Sequence, residues 1–124
     1  MVVLALPIPP SVNRYWRHFR GITIVSEEGL AFRAEVCARA MEARIRPIDG
    51  DLRVGVRYHP KKPKVDAGRP VRRMDLDNIL KGPLDALEGH AFNNDRQIVE
   101  LQVTLEEPVP EGKVVVEIER VVKP

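Results

Sequence analysis

The sequence predicts an α+β fold, a small mixed β-sheet with two helices in the order ββαβαββ. Three observations predict it. Apolar residues alternate with period two around residues 52–58 and 98–105, they recur with helical spacing over 30–45 and 76–87, and Pro and Gly punctuate the chain between these stretches. A chain of 124 residues is the size of one domain, so the expectation is a single unit over residues 1–124.

Val2 to Leu6 reads as a strand stopped by Pro7, Pro9 and Pro10, which lack the amide hydrogen a ladder needs. Ser11 to Arg20 reads as an irregular arm in which Arg14, Arg17 and Arg20 are interleaved with Tyr15, Trp16 and Phe19. Gly21 to Val25 forms a second β-rich run, predicted to pair with the first strand across the arm. Ser26 is a good N-cap for a helix with Glu27 and Glu28 in its first turn. Leu30, Ala34, Cys37, Met41 and Ile45 supply its apolar stripe, and Pro47 stops it. Leu52, Val54, Val56 and Tyr58 form one face of a strand, with Arg53 and Arg57 on the other. A basic loop follows from His59 to Arg73.

The second long helix runs from Asp75 to about Leu87, with Leu76, Ile79, Leu80, Leu84 and Leu87 at helical spacing. Pro83 removes one hydrogen-bond donor, so either a kink or a restart behind Gly82 is expected there, and Gly89 ends the helix. Ile98 to Leu105 and Lys113 to Val122 are the last strands, separated by a turn containing Pro108, Pro110 and Gly112.

Composition excludes several classes of function. No apolar run approaches the roughly 20 residues of a membrane span. Met1 to Leu6 lacks the basic flank of a signal peptide and meets Pro7 at once, which points to the cytoplasm. Cys37 is the sole cysteine, so no internal disulfide or thiolate zinc site forms. His18, His59 and His90 have no HxH or HExxH spacing, and no GxxxxGK[ST], GxGxxG or GxSxG motif occurs.

The charge is unevenly spread. Residues 1–73 contain 15 Lys/Arg and 7 Asp/Glu, whereas residues 74–124 contain 5 and 11. One reading is a basic portion that attracts a polyanion and an acidic portion that holds divalent cations; the other is that the two portions pair with each other. The basic loop concentrates Lys61, Lys62, Lys64, Arg69, Arg72 and Arg73 against Asp66 alone, directly before Asp75-Leu76-Asp77-Asn78. Cations of this kind neutralise phosphates without reading sequence. Asn13, Arg14 and Arg17 in the arm are candidates for the same task, and the aromatics beside them either stack on exposed bases or close the core.

Asp75 and Asp77 converge if the first is still extended and the second opens the helix. Gathered carboxylates then suit Mg2+, which takes hard oxygen ligands together with substrate phosphate. The alternatives are an N-cap for Asp75 and a first-turn charge for Asp77. Asp77, Lys81 and Asp85 recur at i, i+4, i+8, and for Asp85 an ordinary salt-bridged solvent face is the favoured reading. Asp95 lies in a polar turn, Asn93-Asn94-Asp95, which turn chemistry alone explains.

Taken together, Pro9-Pro10-Ser11-Val12-Asn13-Arg14-Tyr15-Trp16-Arg17, Asp75-Leu76-Asp77-Asn78 with Lys81, Asp85-Ala86-Leu87, and Asn94-Asp95-Arg96-Gln97-Ile98-Val99 resemble the RusA family of Holliday junction resolvases. The resemblance covers nearly the whole chain in order and spacing. It implies a homodimeric, Mg2+-dependent endodeoxyribonuclease of DNA recombination and repair, with Mn2+ as a substitute ion, that resolves four-way DNA junctions by paired symmetric cuts. It further implies Asp75, Asp77 and Asp95 as metal-binding carboxylates and Lys81 as the catalytic lysine. Asn94 departs from the family pattern, which often has a second acid there, and the 59–73 loop looks longer than in compact members. Two other functions fit the residues: a non-catalytic module that binds branched DNA, and a nuclease acting on another branched structure.

Overall fold

The computed structural model describes residues 1–63 and 73–122. Among these residues the chain forms a four-stranded sheet, a two-stranded hairpin and three α-helices. Strands β1 (Val2–Leu6), β4 (Leu52–His59), β5 (Ile98–Leu105) and β6 (Lys113–Arg120) make the sheet in the order β1-β6-β4-β5. β6 is antiparallel to both β1 and β4, while β5 is parallel to β4. A parallel neighbour requires a crossover, and α3 (Leu76–Leu87) supplies it. No helix among the described residues is long and apolar enough to cross a membrane.

Alternation decides which side of the sheet is covered. Leu4, Leu6, Leu52, Val54, Val56, Tyr58, Val114, Val116 and Ile118 all point to one side and are buried there against Phe32, Val36, Ile79 and Leu87 of the helices. The other side is charged. Arg53 pairs with Glu100 and with Glu119, and Arg57 with Glu117, so the two arginines that alternation set opposite the core are engaged inside the sheet. β5 closes the sheet as an edge, with Val99, Leu101 and Leu105 exposed.

The first expected pairing is different. β1 joins β6, and the run after Gly21 pairs within the arm itself, β2 (Trp16–Phe19) against β3 (Ile22–Val25). The two-residue connection explains the change. Arg20 and Gly21 both have positive φ, 48° and 75°, which suits the tight turn whose twist matches a hairpin. The arm is therefore ordered, one helical turn α1 (Val12–Tyr15) followed by the hairpin.

Helix α2 (Glu27–Glu42) begins as expected, the Ser26 hydroxyl accepting from the Gly29 N–H at 3.1 Å. It stops before Pro47, because Arg44 takes φ 56° and the Ile45 N–H bonds back to the Ala40 carbonyl at 2.9 Å. Its buried face is also rotated from the expected one. Gly29, Phe32, Val36 and Ala40 are buried, whereas Leu30 is 54% and Met41 71% exposed. The sequence holds two apolar rows, and close approach selects between them. Only the row containing Gly29 lets the helix touch the Tyr15 carbonyl, where an added Cβ would lie 2.6 Å from that oxygen and 2.6 Å from Val25 Cγ1. In α3 the helix runs on through Pro83, which is buried, and Gly82 beside it receives Pro9 and the ring of Tyr15.

Gly29→Ala is expected to destabilise the fold by about 1–3 kcal/mol, since a backbone oxygen cannot move aside for the new methyl. Gly55→Ala, whose added Cβ meets nothing nearer than 3.9 Å, is the matched control. Denaturant midpoints measured side by side check the difference.

Candidate active site

The start of α3 carries the candidate carboxylates. Asp75 occupies the N-cap position in extended conformation, φ −64° and ψ 150°, yet its side chain makes no capping hydrogen bond. Asp77 stands in the first helical turn, and both residues are exposed. The arrangement is the one in which an extended residue and a helix-opening residue can turn their carboxylates to a common point. Lys81, also exposed, follows Asp77 by one turn, so the two Cβ atoms are about 5–6 Å apart. None of these three side chains has an ion-pair or hydrogen-bond partner among the described residues. A capping role for Asp75 is thereby removed.

Asp85, the next residue of the stripe, behaves differently and is not part of a solvent-exposed salt-bridged face. The Tyr15 hydroxyl donates to its Oδ2 at 2.5 Å, and Arg33 donates to the same oxygen from Nε at 2.9 Å and from Nη2 at 2.5 Å. Arg33 Nε also donates to the Tyr15 oxygen at 2.9 Å. Tyr15 is 1% exposed, and burial, followed by its bond to Asp85, pushes the phenol up to about 12. Burial alone would lower the Arg33 pKa, but the bonds to Tyr15 and Asp85 outweigh it and hold the guanidinium more firmly charged than usual. Three elements, α1, α2 and α3, meet in this one cluster.

With α1 fixed this way, the arm lies beside the lysine. Val12, Asn13, Trp16, His18, Thr23 and Lys81 line an open cavity of ≈ 410 Å³. His18 and Thr23 carry no signal in an irregular arm; in a hairpin about Arg20-Gly21, alternation puts Trp16 and His18 on one face, with Thr23 opposite His18. Tyr15 and Arg33 carry no local signal, since their partner Asp85 is 70 and 52 residues away.

Asp95 does not join Asp75 and Asp77. The 12 residues of α3 span about 18 Å. Asp95 sits beyond the far end, its N–H donating to Glu88 Oε1 at 3.4 Å. Among the described residues no group of three or more His, Cys, Asp or Glu side chains could hold a metal ion. Asn94 has a structural role here: its side chain accepts from the Arg96 N–H at 2.9 Å, and Gln97 Oε1 accepts from the Asn93 and Asn94 N–H groups at 2.9 and 3.0 Å. The amide thus caps the turn that presents Asp95.

The basic candidates are divided. Arg14 is exposed and paired with Glu28 at 3.0 Å, while Asn13, Arg17, Lys61, Lys62 and Arg73 are exposed with no side-chain partner among the described residues. Lys64, Arg69 and Arg72 lie outside the described residues.

The pattern that defines the family described as Endodeoxyribonuclease RusA matches residues 7–119, which takes in the arm, the α3 motif and the Asp95 turn. The chain belongs to the RusA family. Family relatives include the crossover junction endodeoxyribonuclease of Enterobacteria phage 82 and that of Escherichia coli K12, each 40% identical over 111 residues, covering 88% of this chain and 85% of the relative. The Shigella sonnei protein of the same description is 39% identical over 111 residues, with the same coverage. The RusA match begins at Pro7 and therefore leaves out β1, which holds one edge of the sheet.

The raised Tyr15 pKa has a definite sign. The folded state prefers the neutral phenol, so this contribution to stability is complete below the ordinary tyrosine pKa of 10.0 and is lost as pH rises through about 12. Tyr15→Phe is expected to cost about 1–3 kcal/mol at neutral pH by leaving Asp85 and Arg33 each one partner short. It should also flatten the loss of stability between pH 10 and 12, which denaturant titrations of both proteins across that range will read.

Proposed function

We propose that this chain is a structure-selective endodeoxyribonuclease that resolves four-way DNA junctions, a reading supported by its RusA relatives, which are crossover junction endodeoxyribonucleases. The observation that carries the reading is the pair Asp75 and Asp77: exposed, without partners among the described residues, and followed one turn later by an equally free Lys81. Two exposed carboxylates with no partner of their own among the described residues are free to take a divalent cation together with a phosphate.

The donor set fits such an ion. Asp75 and Asp77 offer hard carboxylate oxygens, and Mg2+ commonly takes one or two carboxylates together with substrate phosphate; Mn2+ is the substitute ion. When bound, the metal supplies an activated water and stabilises the leaving 3′ oxygen. Lys81 places an ammonium where negative charge develops on the phosphorus oxygens, in a position set by the helix rather than by the substrate. Arg14, Arg17, Lys61, Lys62, Lys64, Arg69, Arg72 and Arg73 hold the phosphate backbone, a salt-dependent contribution to affinity that does not itself read sequence, and Asn13 is a further DNA contact.

Asp95 is the third carboxylate of the proposed site, and the length of α3 sets how it takes part. A chain cannot fold its own Asp95 back to Asp75 across about 18 Å of helix. In an isologous homodimer whose two α3 helices lie antiparallel across the axis, the far end of one α3 meets the near end of the other, and the same contact is made twice. Each site would then hold Asp75, Asp77 and Lys81 of one chain and Asp95 of its partner. Two equivalent sites match the approximate two-fold symmetry of a four-way junction and produce paired symmetric cuts.

The test uses a synthetic mobile four-way junction against linear duplex of the same sequence. The wild-type chain should cut the junction alone, with Mg2+ and not with EDTA, and Asp77→Asn or Asp95→Asn should lower the rate by on the order of a hundredfold or more while the junction stays bound. Mixing these two inactive proteins distinguishes shared from separate sites. Half of the sites in a mixed dimer would carry Asp77 from one chain and Asp95 from the other, so nicking of one strand should return without full resolution. A mixture as inactive as its components would place all the working carboxylates within one chain, and wild type that binds junctions but never cuts them would make the chain a binding module.

A further inference from the structure

We propose that the cavity beside Lys81 receives one unstacked nucleobase of the strand to be cut and discriminates among bases there. The inference rests on the nuclease reading above and adds a specificity pocket to it. The cavity lies between α1, the β2–β3 hairpin and α3, and its ≈ 410 Å³ falls within the range of about 300–1,000 Å³ common for ligand pockets.

Its lining has the chemistry of a nucleotide. Trp16 and Val12 supply an aromatic and an aliphatic wall, Asn13, His18 and Thr23 supply donors and acceptors, and Lys81 supplies one cation. A phosphate alone would not call for an indole, and an apolar ligand would not call for an amide, an imidazole and an ammonium around it. A base attached to its phosphate uses every one of these groups. Stacking on an aromatic ring is available to any base, whereas side-chain amides read the donor and acceptor pattern of a base edge.

The groups are also held ready. The Trp16 ring packs edge-on against Tyr15, with centroids 5.0 Å apart at 63°, and Tyr15 is anchored to Asp85 and Arg33. His18 Nδ1 is within 3.0 Å of Thr23 Oγ1 across the hairpin, which orients the imidazole and leaves Nε2 uncommitted. The Asn13 amide makes no hydrogen bond among the described residues. The Trp16 indole N–H is out of contact with solvent and has no acceptor, the sole buried side-chain N or O atom among the described residues in that condition.

Position ties the pocket to the cut. Lys81 both lines the cavity and stands one turn beyond Asp77, so a nucleotide whose phosphate reaches the carboxylates brings its base to the mouth of the cavity. Extruding a base from duplex costs a few kcal/mol, least where stacking is already interrupted. The branch point of a four-way junction is such a place.

The experiment uses the full chain and a set of four-way junctions that differ only in the two base pairs flanking the branch point. Affinities are measured by competition in EDTA, and cut positions are then mapped in Mg2+. Wild type is expected to separate the best from the worst junction by about 5- to 150-fold, and Asn13→Ala to bring that spread to within about twofold. Trp16→Ala is expected to weaken binding to every junction by about 5- to 150-fold, because stacking does not depend on which base is present. Since Trp16 also packs on Tyr15, Asn13→Ala at an exposed position decides the matter if Trp16→Ala fails to fold. A wild-type chain with no spread, or an Asn13→Ala chain that keeps it, overturns the pocket. A spread in EDTA that collapses in Asn13→Ala, with no cutting in Mg2+, would uphold the pocket while rejecting the nuclease reading.

Discussion

Tyr15, Asp85 and Arg33 form the contact on which the remaining arrangement depends. A short helix of four residues has no stability of its own, and a two-stranded hairpin is marginal in water. Both are held because one buried phenol is bonded to a carboxylate of α3 and a guanidinium of α2. The Tyr15 carbonyl extends the same anchor, accepting from the Ser26 N–H at 2.9 Å and the Ser26 hydroxyl at 3.0 Å, so the start of α2 is tied to the arm as well. Glycine at 29 is the spatial condition for this, since a Cβ there would press on the Tyr15 carbonyl, and at Gly82 a Cβ would crowd Pro9 at 3.1 Å beside the Tyr15 ring. A network of this kind stabilises only when every member is satisfied, and here each group meets the other two.

The second constraint is the length of α3. It is the crossover between two parallel strands, and a crossover must span the sheet before the chain can return. The same helix that joins β4 to β5 therefore separates the carboxylates at its start from the aspartate beyond its end. Fold connectivity and the spacing of the candidate carboxylates are coupled through one distance. Within one chain this connection keeps Asp95 about a helix length from Asp75 and Asp77.

Charge is divided between the same two tasks. Arg53 and Arg57 are spent on Glu100, Glu117 and Glu119 across the solvent face of the sheet, and Arg14 on Glu28. Part of the contrast between the basic and acidic portions of the chain is thus internal pairing. Exposed pairs of this kind contribute little to stability, typically below about 1 kcal/mol each, so Arg14 can exchange Glu28 for a phosphate at small cost. Arg17, Lys61, Lys62 and Arg73 stay free among the described residues.

The sequence by itself determined every element that rests on local patterning. The alternation of Leu52, Val54, Val56 and Tyr58, the Ser26 cap, the helix from Leu76 and its end at Gly89 are all short-range effects, as is the presentation of Asp75 and Asp77 at a helix start. Motif order was enough to indicate the RusA family. Only the tertiary structure decided which of two apolar rows of α2 is buried, because that choice turns on the approach of Tyr15 to Gly29. It also decided that β1 pairs with β6, that Asp85 belongs to a structural cluster, and that Asp95 stands a helix length from the other carboxylates. Each of these joins residues far apart in the chain, and neither periodicity nor spacing carries information about which distant surfaces will meet.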